Sequence, residues 1–168
     1  MQKNTIGHSK VLGPEEQETH HARNILISLT QKAASRLRDK ALFTTGILLT
    51  VNFNLRKSIK ENGKIKLSNY TSTILKQVLK SWDKILGNID TKKIKVKKIG
   101  VSFYNLQNES NQLSFDDLFK YRKNQKISGV IDNINKRMGI NTVSIGINIK
   151  TYKSEQIVAF GHIPKISD

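Results

Sequence analysis

Five lysines fall within the seven residues Lys92-Lys93-Ile94-Lys95-Val96-Lys97-Lys98, and the next residues, Ile99-Gly100-Val101-Ser102-Phe103-Tyr104, alternate in polarity. Alternation of period two marks a strand with one buried face. The apolar face needs a core to pack on. Cations at that density need a polyanion, or abundant solvent, on the other side. A sheet held to a core by one face and open on the other satisfies both demands. The stretch also contains a phase slip. Ile94 and Val96 share one parity while Ile99, Val101 and Phe103 share the other, so a β-bulge near Lys97-Lys98 is expected.

The length of 168 residues fits one domain, or one domain with a small appendage. Lysine and arginine total 29 against 13 acids, a net charge of +16, which points to nucleic acid or an anionic membrane surface. A genome rich in adenine and thymine inflates lysine, isoleucine and asparagine, but it would also supply glutamate, which is scarce here. Cysteine is absent, which excludes disulfides, thiolate metal sites and cysteine nucleophiles. No apolar run approaches the length needed to span a bilayer, so no membrane partner is expected. Met1-Gln2-Lys3-Asn4-Thr5 lacks the apolar centre of a signal peptide, and a cytoplasmic location is expected.

Residues 4–12 form a short extended segment closed by Gly13-Pro14. Pro14 with Glu15-Glu16 is expected to open a helix over 16–41, because proline suits a first turn and acids suit its positive end. Ala22, Ile25, Leu26, Leu29, Ala33 and Leu37 give that helix one buried face. Ile47, Leu49, Val51 and Phe53 alternate with Leu48, Thr50, Asn52 and Asn54 in a second strand. A partner strand comes next at 57–68, where Ile59, Ile65 and Leu67 alternate with Lys60, Lys64 and Lys66. A second helix, capped by Ser68 or Thr71 and stopped near Gly87, buries Ile74, Leu75, Val78, Leu79, Trp82 and Ile85. The lysine-rich strand at 94–106 completes the order β-α-β-β-α-β.

This is an α+β fold of ferredoxin-like arrangement, a four-stranded antiparallel sheet with two helices on one face, plus a small C-terminal extension. That extension holds a helix near 126–138, ended by Gly139, and strand candidates at 142–149 and 156–163. The open face of the sheet should show Thr50, Asn52 and Asn54, then Lys60, Lys64 and Lys66, then Lys95 and Lys97. No aromatic is expected on it, since Phe53 and Phe103 point to the core. Sheets that read single-stranded RNA stack bases on exposed rings, so this face suits backbone phosphates rather than bases.

The segment Asn4-Thr5-Ile6-Gly7-His8-Ser9-Lys10-Val11-Leu12 resembles the linker that runs from the thumb into the last domain of bacterial Y-family translesion DNA polymerases. Lys95-Val96-Lys97-Lys98-Ile99-Gly100-Val101-Ser102-Phe103 resembles the final strand of that domain, the little finger, and Trp82-Asp83-Lys84-Ile85-Leu86 the end of its second helix. The resemblance covers about 4–106. Past it, Gln112-Leu113-Ser114-Phe115-Asp116-Asp117, Asn133-Ile134-Asn135-Lys136-Arg137-Met138-Gly139 and Val158-Ala159-Phe160-Gly161-His162-Ile163-Pro164 are similar to the C-terminal regions of some members. The implied divisions are a linker and edge strand at 1–13, a DNA-binding little finger at 14–106, and an extension at 107–168.

The resemblance implies a non-catalytic domain that grips double-stranded, primer–template DNA and takes part in DNA damage repair and the SOS response. Palm, fingers and thumb, which carry the polymerase chemistry, have no counterpart here, so the chain looks like a detached domain, an excised piece or one product of a split gene, the last of which would put the palm, fingers and thumb in a separate polypeptide. By position, His8, Ser9 and Lys10 correspond to the linker, and Lys95, Lys97 and Lys98 to the basic final strand. Arg56, Lys57, Lys60, Lys64 and Lys66 enter on charge and face alone. Gln112, Leu113 and Phe115 resemble the short motif that docks on the sliding clamp. Asp116 departs from that motif, and Leu118-Phe119 supply the missing apolar pair only after a shift. Ser114 and Asp117 alternatively form a capping box, with Leu113, Phe115, Leu118 and Phe119 stapling a short helix.

Other chemistry finds little support. His8, His20, His21 and His162 lack metal-ligand spacing, and adjacent His20-His21 point about 100° apart on a helix. Glu15-Glu16 and Asp116-Asp117 suit helix starts, and no phosphate-cradling glycine loop is present. No metal, cofactor or catalytic residue is expected. The main alternative is an unrelated α/β RNA-binding, ribosome-associated protein. Such a protein would need stacking rings or 2′-hydroxyl contacts. A protein-interaction adaptor would tolerate charge reversal of the sheet lysines.

Overall fold

The computed structural model describes residues 5–54, 58–90, 94–108, 115–139 and 142–143, with the backbone alone for 115–124. In chain order these form β1 (Ile6–Val11), a 3-10 turn (Pro14–Glu16), α1 (Thr19–Asp39), β2 (Leu42–Phe53), β3 (Ile59–Ser68), α2 (Thr71–Leu86), β4 (Val96–Asn108) and α3 (Phe115–Met138). The order β-α-β-β-α-β therefore holds, and every strand pair is antiparallel. The sheet runs β1-β4-β2-β3. Since each neighbour is antiparallel, β1 and β2 are parallel to each other with β4 between them, and β3 and β4 are parallel with β2 between. Two β-α-β units thus interlock, each lending a strand to the middle of the other.

Both crossover helices pack on one face. Their buried stripes, Ala22, Leu26, Leu29, Ala33 and Leu37 from α1 and Ile74, Val78, Trp82 and Ile85 from α2, meet Ile47, Leu49 and Val51 of β2 and Ile99, Val101 and Phe103 of β4. Trp82 is 1% exposed and Phe103 fully buried. Burying a side chain of Phe size is worth about 1.5–3 kcal/mol, so these two rings anchor the layer.

The phase slip resolves as expected. Asn52 opposes Lys98 and Phe53 opposes Val96, which leaves Lys97 as the extra residue of a bulge. Val96 and Ile99 are consequently both buried while Lys97 and Lys98 are both exposed. A second register shift separates Thr44 from Gly46 in the β2–β3 pairing. There the Thr44 hydroxyl, fully buried, shares its one proton between the carbonyls of Tyr104 at 2.7 Å and Gly46 at 2.9 Å.

Two helix boundaries depart from expectation. Pro14 and the glutamates open a 3-10 turn, and α1 starts only at Thr19. The break lies at Gln17, whose side-chain amide donates to the Leu12 carbonyl (3.3 Å) and whose own carbonyl accepts from Val96 N (2.9 Å). Stitching the linker to β4 takes precedence over extending the helix. At the other end of the chain α3 begins at Phe115 rather than near 126. Apart from Thr142 and Val143, the strand candidates 142–149 and 156–163 lie outside the described residues. Among the described residues no helix is long and apolar enough to cross a membrane.

Candidate nucleic-acid interface

The antiparallel register arranges the open face in rows, because directly opposed residues share a face. One row reads Ser9, Gly100, Thr50, Lys60 across the four strands; the next reads Gly7, Ser102, Leu48, Asn62. Flanking them are Val11, Lys98 and Asn52 on one side and Tyr104, Gly46 and Lys64 on the other. These rows oppose in parity the buried residues Ile99, Val101 and Phe103.

Small side chains in the middle of the face leave a groove of about 550 Å³ between β1, β4 and β2, floored by Gly7, Gly100 and Ser102 and edged by Lys98 and Asn52. A Cβ on Gly7 would lie 2.5 Å from the Val101 carbonyl oxygen, and one on Gly100 would lie 3.0 Å from the Ser9 Cβ. The two strands approach so closely there that a side chain at Gly7 would run into backbone, while one at Gly100 would press on Ser9. Oδ1 of Asn52, at the groove wall, is buried without a hydrogen-bond partner among the described residues.

Charge is distributed unevenly between the two faces. Lys60, Lys64, Lys66, Lys97 and Lys98 are exposed, and no ion pair holds any of them among the described residues. The only acid on the described strands is Glu61. It stands opposite Leu49, on the helix side, and pairs with Lys84 of α2 at 2.7 Å. Lys95 is exposed just ahead of the bulge, with its ammonium 4.0 Å from Glu18.

The residues singled out from sequence therefore separate. Ser9, Lys60, Lys64 and Lys98 share the open face, Lys97 stands beside Lys98 in the bulge, and Lys66 lies within the β2–β3 register shift, between Lys64 and Ser68. The side chains of His8 and Lys10 do not join them, although His8 is among the residues that line the groove. They oppose Val101 and Ile99 and so belong to the helix side. Lys10 donates to the Glu16 carboxylate at 2.6 Å, and the same carboxylate accepts from Gly13 N at 3.1 Å. His8 is half-buried, and its pKa is lowered from 6.5 by burial and then by the charges of Arg36 and Lys32. Arg56, Lys57, Gln112 and Leu113 lie outside the described residues, and of Phe115, Leu118 and Phe119 only the helical backbone is described.

One expectation is corrected. The open face is not free of rings, because Tyr104 lies on it. A Cβ on Gly46 would come within 2.3 Å of Tyr104 Cε2, so the ring rests directly on the glycine backbone across the strand pair. Parity carries the signal. Once the bulge is placed at Lys97, every even residue from Lys98 to Tyr104 faces away from the helices.

Among solved structures the chain is similar to the post-insertion binary complex of Dbh DNA polymerase, with a TM-score of 0.54 at 15% identity, over 64% of this chain and 30% of that one. It is similar also to a Dbh ternary complex (TM-score 0.51, 15% identity, 61% of this chain and 29% of that one). A third likeness is to DinB from Sulfolobus solfataricus (TM-score 0.50, 16% identity, 64% and 30%). Identities this low speak to the fold alone, and the chain spans about 30% of the length of the first of those polymerases. No curated protein matches the sequence. Residues 3–115, which take in the whole sheet and both crossover helices, match the profile of the impB/mucB/samB family C-terminal domain. The chain thus belongs to the impB/mucB/samB family, with the fold of the little finger of Y-family DNA polymerases.

Proposed function

We propose that this chain is a non-catalytic, duplex-DNA-binding domain of a translesion DNA polymerase, and that the open face of its sheet grips backbone phosphates. The observation that supports this best is the contrast in pairing: Lys60, Lys64 and Lys98, exposed and in no described ion pair, share the one face that bears no strand acid, with Lys98 at the edge of its glycine- and serine-floored groove. Lysines on phosphates carry no base code, so sequence preference is expected to be weak. In this reading Ser9 and the Asn52 amide contact the sugar–phosphate strand in the groove, and Lys60, Lys64, Lys66, Lys97 and Lys98 neutralise charge. His8 and Lys10 serve the architecture of the linker instead. Residues 112–119 would recruit the sliding clamp, a role that rests on the resemblance of Gln112, Leu113 and Phe115 to a docking motif. The palm, fingers and thumb of the polymerase would act on the same DNA.

Fluorescence anisotropy with a primer–template duplex tests the proposal. Five phosphate contacts predict a log–log salt slope of roughly −4 to −5. Binding that ignores salt between 0.05 M and about 0.5 M would refute phosphate gripping. A matched RNA duplex bound at least as tightly as the DNA would favour the RNA-binding alternative, for which the Tyr104 ring is the one supporting feature.

A further inference from the structure

Helix α3 lies mostly beyond the matched family domain, which ends at residue 115. It is tied to α1, on the helix side of the sheet, by a few side-chain bonds. Arg38 of α1 clasps Asp132 with a two-pronged bond, Nε to Oδ2 at 2.7 Å and Nη2 to Oδ1 at 2.9 Å. Its remaining nitrogen donates to the Asn69 carbonyl (2.8 Å) and the Thr71 hydroxyl (3.1 Å). Lys136 donates to Asp39 at 2.8 Å. Beyond Gly139, which takes a φ of +105°, the chain turns back, and the Asn135 side chain both donates to and accepts from the Val143 backbone at 2.9 Å.

Between α1, α3 and the back of β1 these contacts leave a cavity of about 420 Å³. Its electrostatic balance does not close. Asp132 is the only acid among its described lining residues, and Arg38 already occupies both carboxylate oxygens. Lys136 is paired with Asp39. Lys32 and Arg36 also line the cavity, and neither has an ion-pair partner among the described residues. Gln31 contributes an amide nitrogen that is buried with no acceptor among those residues. An unpaired buried donor costs about 1–3 kcal/mol, and it stands beside two cations free of any described ion pair, a combination that an oxygen-bearing anion would complete. Ile131 and Val143 give the opposite wall an apolar character.

We propose that this cavity is a second, anion-binding site that takes a phosphate or small phosphate monoester, held by Lys32, Arg36 and the Gln31 amide. The site shares no lysine with the open face, and His8 is the one described residue that lines both the cavity and the groove. His8 lies at the cavity rim and supplies an internal reporter. The charges around it are Lys32, Arg36 and Arg38 from α1 and Asp132 and Lys136 from α3, and Arg36 and Lys32 among them oppose protonation of the ring. A bound dianion would offset Lys32 and Arg36, so the His8 pKa rises when the site fills.

The test titrates inorganic phosphate and, separately, thymidine 5′-monophosphate into the full chain, following the His8 ring by NMR and the heat by calorimetry. We expect saturable binding, an upward move of the His8 titration, and a loss of about tenfold or more in affinity in the variant Lys32→Ala with Arg36→Gln. The single variant Arg36→Gln, at an exposed position, should show an intermediate loss with the fold intact by circular dichroism. Tighter binding of the monoester would identify the apolar wall as part of the site; equal binding would assign the site to phosphate itself. An unmoved His8 titration, or equal affinity in the double variant, would overturn the site. Duplex-DNA affinity of the double variant is measured in parallel, and its retention separates this cavity from the open face.

Discussion

The two faces of one sheet are built from the same four strands, yet they differ in nearly every physical respect. The back carries Ile47, Leu49, Val51, Ile99, Val101 and Phe103 under two helices, and outside the α1–α3 cavity it holds three ion pairs: Lys10 with Glu16, Glu61 with Lys84, Arg38 with Asp132. The front carries glycine, serine, threonine and asparagine between lysines that pair with nothing described. Stability lives on the back, where apolar burial and satisfied ion pairs accumulate. The front adds little to folding and much to the field around the molecule. Substitutions should therefore sort cleanly, with the back changing stability and the front changing affinity and salt dependence.

The largest expected effect belongs to the back. Trp82→Ala removes the largest fully buried side chain and should cost about 3–5 kcal/mol in chemical denaturation. A loss under about 1 kcal/mol would mean that the helix layer does not anchor the sheet. Next comes the front. Replacing Lys60, Lys64, Lys97 and Lys98 together by alanine should weaken duplex binding on the order of a hundredfold at low salt and flatten the salt slope by about 3–4. Stability should barely move, within about 0.5 kcal/mol per site. If the quadruple variant unfolds instead, the division of labour between the faces is wrong.

A smaller effect sits where the division blurs. Gly46→Ala pushes a methyl into the Tyr104 ring and should destabilise by about 1–3 kcal/mol. Adding Tyr104→Ala should restore part of that loss, and a double-mutant cycle would give a coupling of about 0.5–3 kcal/mol. Strict additivity would show that the ring does not rest on the glycine. The smallest effect concerns pH. His8 has a lowered folded-state pKa, so the unfolded chain binds the proton more readily and stability rises with pH through the window below 6.5. Acidifying across that window should lower the melting temperature, and His8→Gln should flatten this part of the profile.

Much of the architecture is legible in the residues. Alternation in 47–53 and 99–103, and helical spacing in 22–37 and 74–85, are local periods that each element must satisfy to bury one side. Even the bulge is readable, since Val96 and Ile99 cannot both reach the core without an extra residue between them. Its consequence for the front is harder to see: only when the shifted parity is carried past Lys98 do Gly100, Ser102 and Tyr104, ring included, fall on the open face. The start of α1 is hidden for a different reason. Gln17 is drawn out of the helix by bonds to Leu12 and Val96, and the latter is far away in sequence.

The sequence alone determines which residues alternate and which recur at helical spacing, because those periods arise from bond geometry within a few residues. It does not determine which way a six-residue edge strand faces. The pattern Ile6-Gly7-His8-Ser9-Lys10-Val11 admits either face, and only pairing with β4, His8 against Val101 and Ser9 against Gly100, sends His8 and Lys10 to the helices and Ser9 to the groove. A slip of one residue would exchange them. Register is a property of two strands, and the partner that sets it lies some ninety residues away in the chain.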